Sequence, residues 1–475
     1  MTNAASAGWW ERERQRALKR VLIGLMLVLA LIGYFQYINW IGRTGIIHGV
    51  NFPTANYIAF VRRLDDGSSA IYAVRADGSD LRKLTAGNDA SNKEHPCWTP
   101  DGKTLVFASN LKDLKTSQIY VLGDGAPVQL TYGSGNKFSP TVSPNGKLVA
   151  FITQGVVKTV SITGTDVRQV MPLPRAGNEN TADSGNPETE TAPYLSAVFG
   201  PDSATLSGIQ DVSNVTITAG PEEANGLYGK HTTFASLPID QQVIVLSANR
   251  DSAFPPNPYG HEVSMSWEPN GERLACSYTE LPMLDNEQRP VDLQAKPLPK
   301  GSSPLPISGI QIWSFPAKDD PTSKMPSFQP FYGCLGYSVE PRNIDWSPSV
   351  VAGNERTSHI ACEIWRLKSE GVRELAGIRV LDLVEPVTKD SAEQQAPRIM
   401  TMPADVPSMP LLVQAGPGGK PENPHWSPDG ARLVYEVVRP DGKRDIWTIN
   451  ADGTNPINLT KGQGDNFDPA WSPSR

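Results

Sequence analysis

An all-β fold is predicted for this chain: a seven-bladed β-propeller preceded by one N-terminal transmembrane helix. Three observations predict it. The tripeptide Trp-Ser-Pro, or a near copy, recurs with strand-like runs behind it. The last copy, at Trp471, has no strands after it, whereas the first runs, from Tyr57, have no copy before them. A single apolar stretch, Val21–Trp40, stands apart from a body of ordinary globular composition, with 39% hydrophobic and 20% charged residues over 475.

The repeat is fullest from Trp98, where "PCWTPDG" leads into "KTLVFAS", "QIYVLGDG" and "APVQLTYG". From Trp426 the order is the same: "PHWSPDG", "ARLVYEV", "RDIWTINADG", "NPINLTKG". Runs of five to seven residues alternating β-branched or aromatic with polar side chains read as half-buried strands. Pro-Asp-Gly and Asp-Gly supply the tight turns between antiparallel neighbours. The Trp is large enough to fill the wedge between adjacent small sheets. Four such strands form one propeller blade.

Weaker copies of the marker stand at Val142, Phe199, Trp267 and Trp346, making seven with Trp98, Trp426 and Trp471. Phe199 and Trp346 are degenerate, so six or eight blades also fit the pattern. Joined to the three marker-less runs of residues 57–86, the strand at Trp471 completes one blade and closes the ring. Marker spacing is 44, 57, 68, 79, 80 and 45 residues, so the blades from Val142 to Trp426 carry insertions. These are polar and Pro-rich ("RAGNENTADSGNPETETAP", "RPVDLQAKPLPKGSSPLP", "KDSAEQQAPRIMTMPADVPSMP") and read as loops, either solvated spacers or a docking surface.

Twenty helical residues rise about 30 Å, the thickness of a bilayer's hydrocarbon core. Arg12, Arg14, Arg16, Lys19 and Arg20 precede the apolar stretch, and only Arg43 follows it closely. Cationic flanks stay in the cytoplasm. The expected organisation is therefore a cytoplasmic tail over 1–20, a membrane helix over 21–42, a linker over 43–56 and an extracytoplasmic propeller over 57–475. No A-x-A-like site follows the run, so an anchor is expected rather than a cleaved signal.

The pattern "W-S-P-D-G-x-x-L-x-F … I-Y/W … D-G … L-T" resembles the WD40-like PD40 repeat of TolB-type propellers over most of residues 57–475. The resemblance implies the fold far more than the function. TolB-like proteins carry an α/β domain ahead of the propeller, and peptidase relatives carry a hydrolase domain behind it. Neither is expected here, and no G-x-S-x-G occurs in the chain.

Chemistry is sparse. Residues 1–50 hold six Lys/Arg and two Asp/Glu, which leaves 37 positive and 48 negative residues in the remainder, a net charge of −11. A body this acidic argues against nucleic acid as a partner. The four cysteines show no ligand spacing; Cys276 and Cys362 read as small core residues, with a bridge between them left open. Asp77, Asp101, Asp429 and Asp452 fall in Asp-Gly turns, and "GSGNK" at Gly133–Lys137 lacks the full spacing of a phosphate loop. His95, His261 and His425 precede markers by three, six and one residues. Polysaccharide lyases with this kind of propeller hold a metal on channel histidines, so these three are the candidate metal ligands. Their unequal offsets would scatter them in depth and face.

No catalytic residue and no cofactor is expected. The function expected is a scaffold or accessory subunit of a membrane or cell-envelope complex, binding protein partners through propeller-face loops and the membrane through residues 21–42. The alternatives are a metal-dependent polysaccharide lyase or hydrolase using the channel, and a ligand sensor relaying through the membrane helix.

Overall fold

The computed structural model describes residues 56–85, 89–171, 194–203, 205–211, 232–238, 260–269, 273–280, 308–314, 327–334, 339–367, 373–386 and 410–473. The predicted tail, membrane helix and nearly all of the linker lie outside them. Among the described residues no helix is long and apolar enough to cross a membrane.

Every described element is a strand. The first three are β1 (Tyr57–Arg63), β2 (Ser69–Arg75) and β3 (Arg82–Lys83). The next sheet is β4 (Lys93–Trp98), β5 (Leu105–Ser109), β6 (Gln118–Leu122) and β7 (Val128–Gln129). It is followed by β8 (Lys137–Val142), β9 (Leu148–Thr153), β10 (Val156–Ser161) and β11 (Arg168–Met171). A shorter sheet holds β12 (Tyr194–Phe199), β13 (Thr205–Asp211) and β14 (Thr232–Pro238). Then come β15 (Gly260–Trp267), β16 (Arg273–Glu280), β17 (Ser308–Ser314) and β18 (Ser327–Cys334). The most elaborate sheet contains β19 (Val339–Trp346), β20 (Val350–Ala352), β21 (Glu355–Leu367), β22 (Arg373–Pro386) and β23 (Val413–Gln414). Finally there are β24 (Lys420–Trp426), β25 (Arg432–Val438), β26 (Arg444–Asn450), β27 (Ile457–Asn458) and β28 (Asp465–Trp471).

The strands form antiparallel meanders, six of them with four or five strands, and the β12–β14 sheet with three described strands. The first strand of each sheet packs against the first strand of the next, and the circuit returns from β24 through β28 to β4. The architecture is a β-propeller.

Each marker residue, from Trp98 to Trp471, is the last residue of an inner strand. Three of the tryptophans make one repeated contact. The indole Nε1 of Trp98, Trp426 and Trp471 donates to the carbonyl of Ala470, Asp345 and His425 respectively, each at 3.1 Å. The acceptor in each case lies one residue before the marker of the preceding blade. A single side chain thus fills the inter-blade wedge and fixes its depth. Trp346 departs from the rule and donates to Ser358 Oγ of its own blade. There the seam is held instead by Arg273 of β16, which pairs with Glu268 and Glu385 and lies 5.1 Å over the Trp346 ring. The turns behind the markers close as expected: Ser427 N donates to Arg432 O and Gly430 N to Ser427 O, with Gly430 at φ 68°.

The ring is shut by β28, which lies antiparallel to β1 with Ile58 opposite Trp471 and Arg63 opposite Asp465. Tyr57 N donates to Ser472 Oγ and Ser472 N to Tyr57 O, at 2.9 and 2.8 Å. Phe467 is buried, and Asn466, wholly inaccessible, accepts from Arg62 Nε and donates to the Arg444 and Gln463 carbonyls. Cys276 and Cys362 are buried in separate core clusters of neighbouring sheets.

Removing residues 465–475 should uncover the inner edge of β1 and abolish a single cooperative calorimetric transition. A synthetic peptide spanning 463–475 should restore it in trans. A truncated chain that melts like wild type would mean that the ring does not depend on this ladder.

Candidate functional site

The inner strands share a second feature, which no marker announces. Three residues before the marker, five of them hold a non-glycine residue in the left-handed region: His95, Ser139, Asn343, Asn423 and Asp468, with φ between 46° and 55°. Pairing skips two residues there, as between Glu94 and Cys97 or Glu422 and His425, while the partner strand skips one. These are β-bulges, which leave a backbone amide without its ladder partner.

Three of these bulge amides are taken up by side chains across the blade seams. Asn423 N donates to Glu363 Oε1 at 2.7 Å, Asp468 N to Glu436 Oε1 at 3.0 Å, and His95 N to Asp468 Oδ2 at 2.9 Å. One blade earlier the acceptor is a hydroxyl: Ile344 N donates to Ser264 Oγ. Glu363 also accepts from Asn343 Nδ2 and from the Trp365 indole, and Glu436 from Asn423 Nδ2. A polar relay therefore runs along the inner strands β15, β19, β24, β28 and β4. Its anchors Glu363 and Glu436 sit inside the apolar runs "IACEI" and "LVYEV". A charge at matching places in two strands was the available sequence signal.

Burial governs the electrostatics. It pushes the Glu436 carboxyl up to about 7, with the Asp468 charge adding to the rise and the Asn423 hydrogen bond, Arg444 and the Asp468 amide opposing it. Burial likewise raises Asp345 above the usual carboxylate range, although His425 nearby and the Trp426 amide favour its charge. Glu422 is raised by burial and by Glu363.

The three candidate histidines fall on three inner strands. His95 is exposed, with its backbone at the β4 bulge. His425 is partly buried on β24, its Nδ1 3.9 Å from Asp345 Oδ2. His261 stands opposite Thr279 in the β15–β16 register. Among the described residues no group of three or more His, Cys, Asp or Glu side chains could hold a metal ion. His359, which the sequence reading passed over, has Nδ1 2.7 Å from Asp382 Oδ1, and its ring lies 5.7 Å from that of Trp426.

The other motifs resolve into local structure. Asp77 and Asp452 accept from the amide and hydroxyl of Ser79 and Thr454, which hold both carboxyls below the usual range. Asp101 and Asp429 do the same for the turns behind Trp98 and Trp426. In "GSGNK", Lys137 Nζ donates to the carbonyls of Gly133, Ser134 and Gly135, so the loop wraps a cation and presents no anion cradle.

Fold and inner-strand geometry together define a β-propeller closed by its C-terminal strand. No protein-family model matches the chain. Over 128 residues it is 30% identical to the Tol-Pal system protein TolB of Francisella tularensis subsp. tularensis, spanning 26% of this chain and 27% of that protein. Over 127 residues it is 25% identical to an uncharacterized protein of Agrobacterium fabrum, spanning 26% of this chain and 42% of that one. The chain thus spans less than half the length of these curated relatives. Among solved structures, TolB from Acinetobacter baumannii is similar at a TM-score of 0.40 and 14% identity, over 90% of this chain and 68% of that one. An oligogalacturonate lyase from Vibrio parahaemolyticus is similar at 0.42 and 14%, over 86% and 85%. The chain carries a TolB-like β-propeller.

Glu363 is 2% exposed and serves three donors, so Glu363→Ala should cost about 3 kcal/mol in urea unfolding, by leaving buried donors unmatched. Glu363→Gln keeps an acceptor for the two Asn donors and should cost less. Equal and negligible losses in both would show that the bulges stand without the relay.

Proposed function

We propose that the chain is a single-pass membrane protein whose extracytoplasmic propeller holds protein partners of a membrane or cell-envelope complex. The reading takes the β12–β14 sheet as a seventh blade and Val21–Trp40 as the anchor, with the N-terminus cytoplasmic. The apolar length of that stretch and the cationic flank before it support the orientation.

One observation carries the docking role. In a meander, the connections from second to third strand and from one blade to the next leave the same end of the ring. Three long connections, 172–193, 212–231 and 281–307, follow β11, β13 and β16 and so attach at that end, whereas 387–409 follows the third strand β22 and attaches at the opposite one. Three long loops sharing one end of a rigid closed scaffold suit recognition. Confinement by a membrane helix raises the effective concentration of a partner at the same surface, so weak contacts suffice. The acidic body favours basic patches on that partner, and binding that weakens with salt.

Gentle detergent extraction of the tagged full chain, followed by mass spectrometry, should recover a reproducible partner set. Deleting 172–193 and 281–307 should strip that set while leaving the melting temperature near wild type. An unchanged set would remove the support for docking. Stoichiometric metal in the purified chain, lost on His261→Ala or His425→Ala, would favour the channel enzyme instead.

A further inference from the structure

Around Glu436, the seam between β25 and the closing strand brings three carboxyl groups together beside one paired arginine. Glu436 of β25, 4% exposed, stands directly opposite Glu422 in the β24–β25 register. From β28, Asp468 presents its amide to Glu436 and its carboxylate to His95 N. From β26, Asp445 is engaged by Thr460, Asn458 and, at 3.8 Å, Arg439, and among the described residues Arg444 is the cation that pairs with Glu436, at 3.5 Å. That arginine is already committed to β28, with Nε 3.4 Å from Asp465 Oδ1 and its guanidinium 4.5 Å over the Phe467 ring. On β24, Lys420 is exposed, His425 faces Asp345, and Glu363 of β21 reaches the same bulge through Asn423.

We propose that Glu436 is a proton-operated latch on the closing strand of the ring. Protonated, it accepts the Asp468 amide at no cost in charge, and β28 stays seated. Ionised, it confronts Asp468 and Glu422 in a buried site with half a cation to share, and β28 opens more often.

The sign follows from linkage. Burial holds the closed-state carboxyl near 7, and the water that reaches it once β28 leaves moves it back towards the ordinary value of 4.5. Between those values the closed ring binds more protons than the open one, so opening becomes easier as pH rises from about 4.5 to about 7, and levels off above that. A single proton limits the change to at most about tenfold per pH unit.

Hydrogen exchange of the full chain tests this on amides of residues 465–472, with β5 amides as an internal reference. After correction for intrinsic exchange, wild-type β28 should open severalfold more often at pH 7.5 than at pH 5, while β5 stays level. Glu436→Gln, which keeps an acceptor and cannot ionise, should hold β28 near its acid-side protection at both pH values. Asp468→Asn keeps the acceptor for His95 N and removes one repelling charge, so its rise should be smaller than that of wild type. A β28 signal independent of pH in wild type overturns the latch. So does a Glu436→Gln variant that keeps the wild-type slope, or an Asp468→Asn variant whose rise is undiminished.

Discussion

The ladder between β28 and β1 is the constraint on which the remaining structure depends. Every other strand pairing joins consecutive segments of the chain, so the blades are local units held by their own connections. This pairing joins residues 415 apart. Chain-entropy scaling sets the penalty for bringing such distant ends together at about 5 kcal/mol, incurred once for the entire ring. In return the ring loses its two open edges, and each blade gains a neighbour on both sides. The bonds between Tyr57 and Ser472 and the burial of Phe467 and Asn466 concentrate the contacts where the penalty falls.

Closure also explains why the inner strands are bent. Strands converging on a common axis crowd one another, and in five of the inner strands a bulge three residues before the marker gives the extra twist and room needed. The freed amides then require acceptors. Glu363 and Glu436 supply them in two seams, Asp468 in the next, and the Ser264 hydroxyl in an earlier one. Towards the marker the seam is apolar and sealed by an indole; at the bulge it is polar and bridged by carboxylates. The two chemistries divide the work, since the indole sets spacing and the carboxylate sets the register of neighbouring inner strands.

Much of this was readable before any coordinates. Markers at Val142 and Phe199 were legible despite lacking the indole, because the Pro-Asn-Gly and Pro-Asp-Ser turns behind them and the following strands kept the order of the unit. Closure was legible because the two ends of the chain held complementary fractions of one blade. The bulges were not legible: the residues that adopt positive φ are His, Ser, Asn, Asn and Asp, a set with no common signature beyond small or polar character. The relay escaped because a glutamate inside a strand normally points to solvent, and only pairing register reveals that Glu363 and Glu436 face the next blade's bulge. The long β21–β22 hairpin also exceeded expectation, since its strands run to 13 and 14 residues and the extension of β21 pairs with β20. Three histidines near markers suggested convergence, yet their differing offsets put them at different strand depths, as a two-residue side-chain period requires.

The closing strand touches both of its neighbours through the same few residues. Trp471 donates to the His425 carbonyl on one side, and Asp468 accepts from the His95 amide on the other. Displacing β28 therefore releases a marker contact and a bulge contact together, in two adjacent seams. The seams between other blades lack this exposure, because their inner strands are tethered by tight turns to the strands beside them, whereas β28 has a covalent neighbour in its own sheet on neither side. A ring built from local units thus keeps one non-local joint, and the buried carboxylate at that joint makes its strength depend on protons. The most sensitive chemistry in the described structure lies where the architecture has least redundancy.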